Sequence, residues 1–321
     1  MIRSIKRVLA ALLALASYAA LAQDFPSKTI RIIVPTSTGT ASDVTGRFIA
    51  EQLAKDLKVG VVIDNKSGAN GILAVTQFVA APTDGYTLLL SASGLYANAA
   101  LYKNLAYDPV RDFRILAGIN EVFFVLVASP ALPVESVKQL VDYAKANPGS
   151  VTYASASVGS STHLGPELFA SRAGVQLRHI PYKGGAQAIT DTASGQVNIA
   201  MTAVPTAASL VAAGKLRALA VTGSKRSVLM PGVPTLAESG IVGAEITSKQ
   251  AIVAPAAIPE AAAAKLTAAI QKVVNSPEYA KFLESQGVEK ETLPADTYAK
   301  SGPDELKRWA EMVKISGAKL E

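Results

Sequence analysis

Two stretches of small hydroxylated residues and glycine stand where a chain can hold an anion without committing a charged side chain. The first is Thr36-Ser37-Thr38-Gly39-Thr40, leading to Asp43; the second is Ser155-Ala156-Ser157-Val158-Gly159-Ser160-Ser161-Thr162, followed by His163. If each opens a helix, the unpaired N–H groups and partial positive charge of that end favour an anion by about 0.3–2 kcal/mol from the dipole alone. An ordinary capped βα turn has the same composition, with water and capping side chains serving those groups. The choice turns on whether several such loops converge. Two further helix starts follow Tyr182-Lys183-Gly184-Gly185 and Thr202, the latter just ahead of Pro205.

Other chemistries are poorly served. His163 beside Ser160 and Ser161 could form a base–nucleophile pair, yet Gly-x-Ser-x-Gly occurs nowhere, and a His in the first turn of a helix is more often a structural hydrogen-bonder, as is His179. No Gly-x-x-x-x-Gly-Lys-Ser/Thr run exists for a nucleotide phosphate. Cysteine is absent, which removes thiol catalysis, thiolate metal ligation, a disulfide framework and a lipid-modified N-terminal Cys. With two histidines and no cysteine, neither a metal nor a cofactor is expected.

The elements that must position these loops are legible. Ile30, Ile32, Ile33 and Val34 form a β-branched run that Pro35 stops. Thr40 and Asp43 match the helix-start pattern, and Ile49, Leu53 and Leu57 supply the apolar stripe of the helix. Strands then alternate with helices: Val61 to Ile63, a helix from Gly71 to Ala81, Tyr86 to Leu90, apolar runs at Phe113 to Ile119 and Val122 to Ala128, and a helix from Ser136 to Ala146. A second series runs through Val151 to Ser155, a helix to Ala173, Arg178 to Pro181, a helix from Gly185, Val197 to Thr202, a helix from Pro205, and Leu216 to Val221. Ala244 to Ala254 reads as one more long strand, and helices at Pro259 to Val274, Pro277 to Ser285 and Pro294 to Ile315 finish the chain, packing back on the first series with Trp309 inside. Such alternation implies parallel sheets, in which ligands bind beyond the carboxyl ends of the strands, where all four loops fall.

Half of the 321 residues are apolar, enough for a large core and about two domains. Arg3, Lys6 and Arg7, an apolar run from Val8 to Leu15, and Ala20-Leu21-Ala22 have the order of a secretory signal peptide cleaved after Ala22, and the run is shorter than the ~20 residues a membrane span needs. Removing it takes three positive charges and no acids from the net +6, leaving +3, too mild to suggest nucleic acid. No fixed repeat and no low-complexity linker appear.

Several segments together resemble a known family. Phe25-Pro26-Ser27-Lys28-Thr29-Ile30-Arg31-Ile32-Ile33-Val34-Pro35, Ala81-Pro82-Thr83-Asp84-Gly85-Tyr86-Thr87-Leu88 and Leu101-Tyr102-Lys103-Asn104-Leu105-Ala106-Tyr107-Asp108-Pro109 are similar to the periplasmic solute receptors of tripartite tricarboxylate transporters, the Bug-type receptors. So are His179-Ile180-Pro181-Tyr182-Lys183-Gly184, Gly214-Lys215-Leu216-Arg217-Ala218-Leu219-Ala220-Val221 and Val233-Pro234-Thr235-Leu236-Ala237-Glu238. The resemblance spans essentially the whole chain after the leader. It implies an α/β, two-lobed, periplasmic-binding-protein-like clamp (type II-like), each lobe a mainly parallel sheet flanked by helices, with two crossing strands about which the lobes close. Lobe 1 is expected over 23–124 and 249–321, and lobe 2 over 125–248.

The implied activity is capture of a small organic acid and its delivery to membrane transporter subunits by a periplasmic monomer, without catalysis. A periplasmic hydrolase or a ligand sensor on the same scaffold is the alternative. The ligand-binding set expected is Thr36, Ser37, Thr38, Gly39, Thr40, Asp43, Ser93, Ser157, Gly159, Ser160, Ser161, His163, Lys183, Gly184, Thr202 and Lys249, acting largely through backbone N–H groups. Departures from the family pattern stand at Thr36, where relatives commonly have Phe, at Thr40, where they have a second Gly, in Met201 to Pro205, where many have Asp or Asn, and at Lys249, which is expected to put an ammonium at the cleft where relatives often carry an aromatic ring. Whether the ligand is an amino acid, a di- or tricarboxylate or an aromatic acid stays open at this level.

Overall fold

A computed structural model describes residues 25–318 apart from 292 and 294; the expected leader and its cleavage after Ala22 lie outside the described residues. The first series is β1 (Ile30–Val34), α1 (Ala41–Leu57), β2 (Val61–Asn65), α2 (Ile72–Val79), β3 (Thr87–Ser91) and α3 (Gly94–Leu101). Then come β4 (Phe113–Ala128), α4 (Val137–Ala146), β5 (Thr152–Ser155), α5 (Ser161–Ala173), β6 (Arg178–Pro181), α6 (Gly185–Ala193), β7 (Ile199–Ala203), α7 (Val204–Ala212) and β8 (Arg217–Val221). The chain returns through β9 (Thr247–Pro255), α8 (Glu260–Val274), α9 (Pro277–Gln286), β10 (Glu289–Lys290), α10 (Ala295–Lys300) and α11 (Gly302–Ser316).

The strands follow one path, β2-β1-β3-β9-β4-β7-β5-β6, with β10 and β8 also paired to β4. β1 runs parallel to β2 and β3, and β5 parallel to β6 and β7, so the helices that follow these strands all start at the strands' carboxyl ends. β9 is antiparallel to β3 and β4, and β4 is antiparallel to β7 and β8. Ile30, Ile32, Ile33 and Val34 are completely buried because helices cover both faces, which is why β1 reads as a continuous apolar run rather than an alternation.

The two apolar runs between Phe113 and Ala128 are a single strand of 16 residues. Its first part, to Phe123, pairs with β9, and its last residues pair with β7 and β8, so β4 alone serves both halves of the sheet. β9 begins at Thr247, three residues later than the apolar pattern suggests: the Ile246 carbonyl accepts the Thr222 hydroxyl at 2.6 Å instead of joining a ladder. The 3₁₀ turn Ala69–Gly71 takes the start of the helix expected from Gly71, and α3 stands where no helix is expected, because its small residues carry no periodic stripe.

The final helical run is broken at Ser301, where Pro303 removes a donor and excludes a continuous α-helix; the start expected at Pro294 lies outside the described residues. α11 does not pack on the first series alone. Trp309, Met312 and Val313 share one buried cluster with Ala97 and Leu101 of α3 and with Leu164 and Leu168 of α5. Among the described residues no helix is long and apolar enough to cross a membrane.

Candidate functional site

The loops past β2 and β3 meet the loop past β5. The Ser93 hydroxyl, just past β3, lies 3.1 Å from that of Ser161 at the start of α5 and 3.1 Å from that of Ser248 in β9. Asn70, past β2, donates through Nδ2 to the Gly159 carbonyl at 3.3 Å and to Asn98 Oδ1 at 2.8 Å, while Asn98 Nδ2 returns a bond to the Asn70 carbonyl at 3.0 Å. The turn that presents Asn70 is strained, since Gly68, Ala69, Asn70 and Gly71 all have positive φ and two of them are not glycine.

The first loop is shaped by its own side chains. The Thr36 and Thr40 hydroxyls are 2.7 Å apart, Thr40 Oγ1 donates to the Ser37 carbonyl at 2.9 Å, Thr38 Oγ1 donates to Asn65 Oδ1 at 3.4 Å, and Asn65 Nδ2 donates to the Thr36 carbonyl at 3.0 Å. Asp43, 1 % exposed, is a structural centre rather than a ligand contact. It accepts from the Gly39 N–H at 2.9 Å, from Arg47 Nε at 3.1 Å and from Asn65 Nδ2 at 3.0 Å. Gly39 therefore has no N–H to offer, contrary to expectation. Those of Ser37, Thr38, Ala41 and Ser42 have no partner among the described residues.

The second loop repeats the pattern. The Gly159 N–H donates to His163 Nδ1 at 3.1 Å, and with φ near 79° and Leu101 against its Cα the position admits no side chain. Ser160 donates to the Ser157 carbonyl at 2.8 Å and pairs with Thr162 Oγ1 at 2.8 Å. The N–H groups of Ser157, Ser161 and Thr162 are left without a partner among the described residues. His163 is 4 % exposed and stacks on His179 with ring centroids 4.1 Å apart, and the Tyr153 ring lies near both, at 4.8 Å from His179 and 6.3 Å from His163. It shapes the loop instead of facing it. α6 starts beside this loop, uncapped by any side chain at Gly184, with Gly185 in van der Waals reach of Ala156; Lys183 just ahead is exposed. Thr202 is buried in β7 opposite Val125.

Lys249 departs most from expectation. Alternation along β9 turns Ser248 toward Ser93 and Gln250 toward α1, and Lys249 to the opposite face. There its ammonium pairs with Glu305 of α11 at 3.3 Å, the two side chains 22 % and 13 % exposed, and Glu305 also accepts from Trp309 Nε1 at 3.2 Å. Lys249→Met should therefore lower the unfolding free energy in urea by about 1–2 kcal/mol, through the Glu305 carboxylate it leaves behind. The calorimetric affinity ratio of a dicarboxylate to its mono-ester should stay as in the wild type; a ratio shifted toward the mono-ester would return Lys249 to the ligand.

Sequence reasoning passed over Asn70, Asn98, Ser248 and Gln250. Gln250 Nε2 donates to Ser42 Oγ at 2.7 Å, and its register partner Asn120 donates to Thr45 Oγ1 at 3.4 Å. A signal existed only for Asn70, inside the left-handed-tolerant run Gly68-Ala69-Asn70-Gly71. No group of three His, Asp or Glu residues that could hold a metal occurs among the described residues.

The family described as "Tripartite tricarboxylate transporter family receptor" matches residues 45–318. The chain is similar to Protein BugT of Bordetella pertussis, at 33 % identity over 302 residues that cover 94 % of this chain and 93 % of that protein. Among solved structures it is similar to R. palustris Rpa4515 with adipate, at 32 % identity and TM-score 0.85, covering 92 % of this chain and 100 % of that one. It is also similar to MatC (Rpa3494) from Rhodopseudomonas palustris with bound malate, at 28 % identity and TM-score 0.80, covering 90 % of this chain and 100 % of that one.

Proposed function

The chain belongs to the tripartite tricarboxylate transporter receptor family, and from that premise we propose that it captures a small organic carboxylate between its two lobes and delivers it to membrane transporter subunits. The observation that carries this reading is a pair of helix amino termini at the carboxyl ends of their strands, α1 with Ala41 and Ser42 and α5 with Ser161 and Thr162, whose N–H groups have no partner among the described residues. Ser93 bonds Ser161 of α5 and Ser248 of β9, and Gln250 of the same strand bonds Ser42 of α1, so two such ends joined through β9 offer an anion clamp that needs no charged side chain. Adipate and malate in the two similar structures are anions of the kind such a clamp takes.

On this reading lobe 1 comprises 23–124 and 249–321, lobe 2 comprises 125–248, α11 braces both, and the Asn70–Gly159 bond belongs to the closed form. The protein works as a periplasmic monomer after cleavage at Ala22, and no bond is made or broken. The serine arrangement agrees with the absence of turnover: Ser160 and Ser161 are bonded to Ser157, Thr162 and Ser93 rather than to His163, and Ser155, which lies 2.6 Å from His179 Nε2, is buried in its strand.

The test is calorimetric titration with adipate and malate, alongside Ala41→Pro. Proline at the first helical position is tolerated, and Thr40 already has the extended backbone (φ −74°, ψ 160°) that precedes a proline comfortably, so the substitution deletes one N–H with little other change. Ala41→Pro should keep its urea midpoint and bind about ten- to thirtyfold more weakly, the loss of one hydrogen bond to a carboxylate at ~1.5–2 kcal/mol. Undiminished affinity in a folded Ala41→Pro protein would remove α1 from the site.

A further inference from the structure

The buried layer beneath α1 contains more acceptors than the protein satisfies. Gln250 of β9 and Asn120 of β4 sit directly opposite each other in register, on one face of the sheet, 3 % and 0 % exposed. Each spends its amide nitrogen on a hydroxyl of α1, Gln250 on Ser42 and Asn120 on Thr45, which lie three residues apart on one helical face. Gln250 Oε1 and Asn120 Oδ1 are left with no partner among the described residues. Buried acceptors without a donor are rare because each forfeits its hydration with nothing in return. The neighbouring Asp43 brings no relief, since it accepts only, and Arg47, Asn65 and Gly39 already serve it. Ser42, whose hydroxyl holds the Gln250 amide, also carries one of the free N–H groups of the α1 terminus. Donors for a carboxylate and unserved acceptors for something else thus meet at one residue.

Resting on the carboxylate-capture reading above, we propose that the ligand is an amino acid, its carboxylate on the α1 terminus and its ammonium group donating to Gln250 Oε1 and Asn120 Oδ1. Two neighbouring acceptors ask for two hydrogens from one small group. An ammonium supplies three and stands one carbon from its carboxylate; a hydroxyl supplies one, and an unsubstituted methylene none. Both acceptors are neutral amides, so recognition rests on hydrogen bonding rather than on a buried counter-charge.

The experiment is calorimetry of the full chain with matched acids: L-aspartate, L-malate and succinate; L-glutamate and glutarate; L-2-aminoadipate and adipate. In at least one set the amino acid should bind at least about tenfold more tightly than the unsubstituted acid, with L-malate between its two partners if the first set is the one that binds, because a site with buried polar groups rejects an analogue that leaves them unpaired. Gln250→Leu should compress that ratio to about twofold or less, and the wild-type comparison decides the matter even if this variant fails to fold. If in every set that binds the unsubstituted acid binds as tightly as its amino counterpart, the proposal is overturned, carboxylate capture stands and the two acceptors are assigned to a trapped water. If no acid in any set binds the folded protein, the capture reading falls and this proposal with it.

Discussion

Asp43→Ala should cost about 3–4 kcal/mol of folding free energy and weaken carboxylate binding by at least about a hundredfold, because it deletes the residue around which the first loop is wound. The Gly39 N–H and Asn65 Nδ2 each give the carboxylate a charge-assisted bond in a buried setting. The Arg47 bonds contribute less, since that guanidinium is half exposed and its pairing is screened. Without the carboxylate the Gly39 N–H is freed and the loop no longer holds Ser37 and Thr38 in place. Asp43→Asn keeps the shape without the charge and should lose roughly half as much. Burial pushes the Asp43 pKa up, but Arg47, Gly39 and Asn65 outweigh it and hold the carboxyl below its ordinary range. Its contribution is therefore complete above pH ~4 and lost as pH falls further. Urea unfolding at pH 7 with calorimetry on the same samples checks both effects; a wild-type midpoint and affinity in Asp43→Ala would refute this account of the loop.

A second large effect belongs to a different pH window. Burial, and then the stacked His179, push the His163 imidazole down to about 4. From pH 6.5 downward the unfolded chain takes up a proton on this side chain while the folded protein does not, so stability falls as pH falls. Between pH 7.5 and 4 the loss from this group is about 3 kcal/mol. Below that, protonated Nδ1 can no longer accept the Gly159 N–H, and the second loop loses its anchor. His163→Asn retains an acceptor without titrating, so its urea midpoint should vary less between pH 7.5 and 4.5 than that of the wild type. Equal slopes for the two proteins would show that another group governs the acid limb; Asp43 is not that group, because its own range begins near pH ~4.

What was legible in the sequence is what chain-local physics decides. The β-branched run before Pro35, the Thr40 cap, the helix starts at Ser136 and Pro277 and the alternation of strands with helices need only neighbours three or four residues away, and each appears where the residues require it. The same rules place every polar loop at a strand's carboxyl end, and so gave the site its address. They could not say which donors stay free. Gly39 and Gly159 are spent on Asp43 and His163, whereas Ala41, Ser42, Ser161 and Thr162 are not, a distinction that appears only once the side chains are in place.

Partners distant in sequence leave no periodic trace. Asn70 reaches Gly159 across 89 positions and Gln250 reaches Ser42 across 208, and neither pairing has a local signature. The direction of Lys249 required the phase of β9, which a one-residue difference in strand alternation would have reversed, and its partner Glu305 lies 56 residues further on. The sequence by itself determined the elements and the end of the sheet at which an anion could be held. Only the tertiary structure decided which N–H groups remain unspent, which acceptors remain unserved and which charges are already paired, because those are outcomes of packing between segments far apart in the chain.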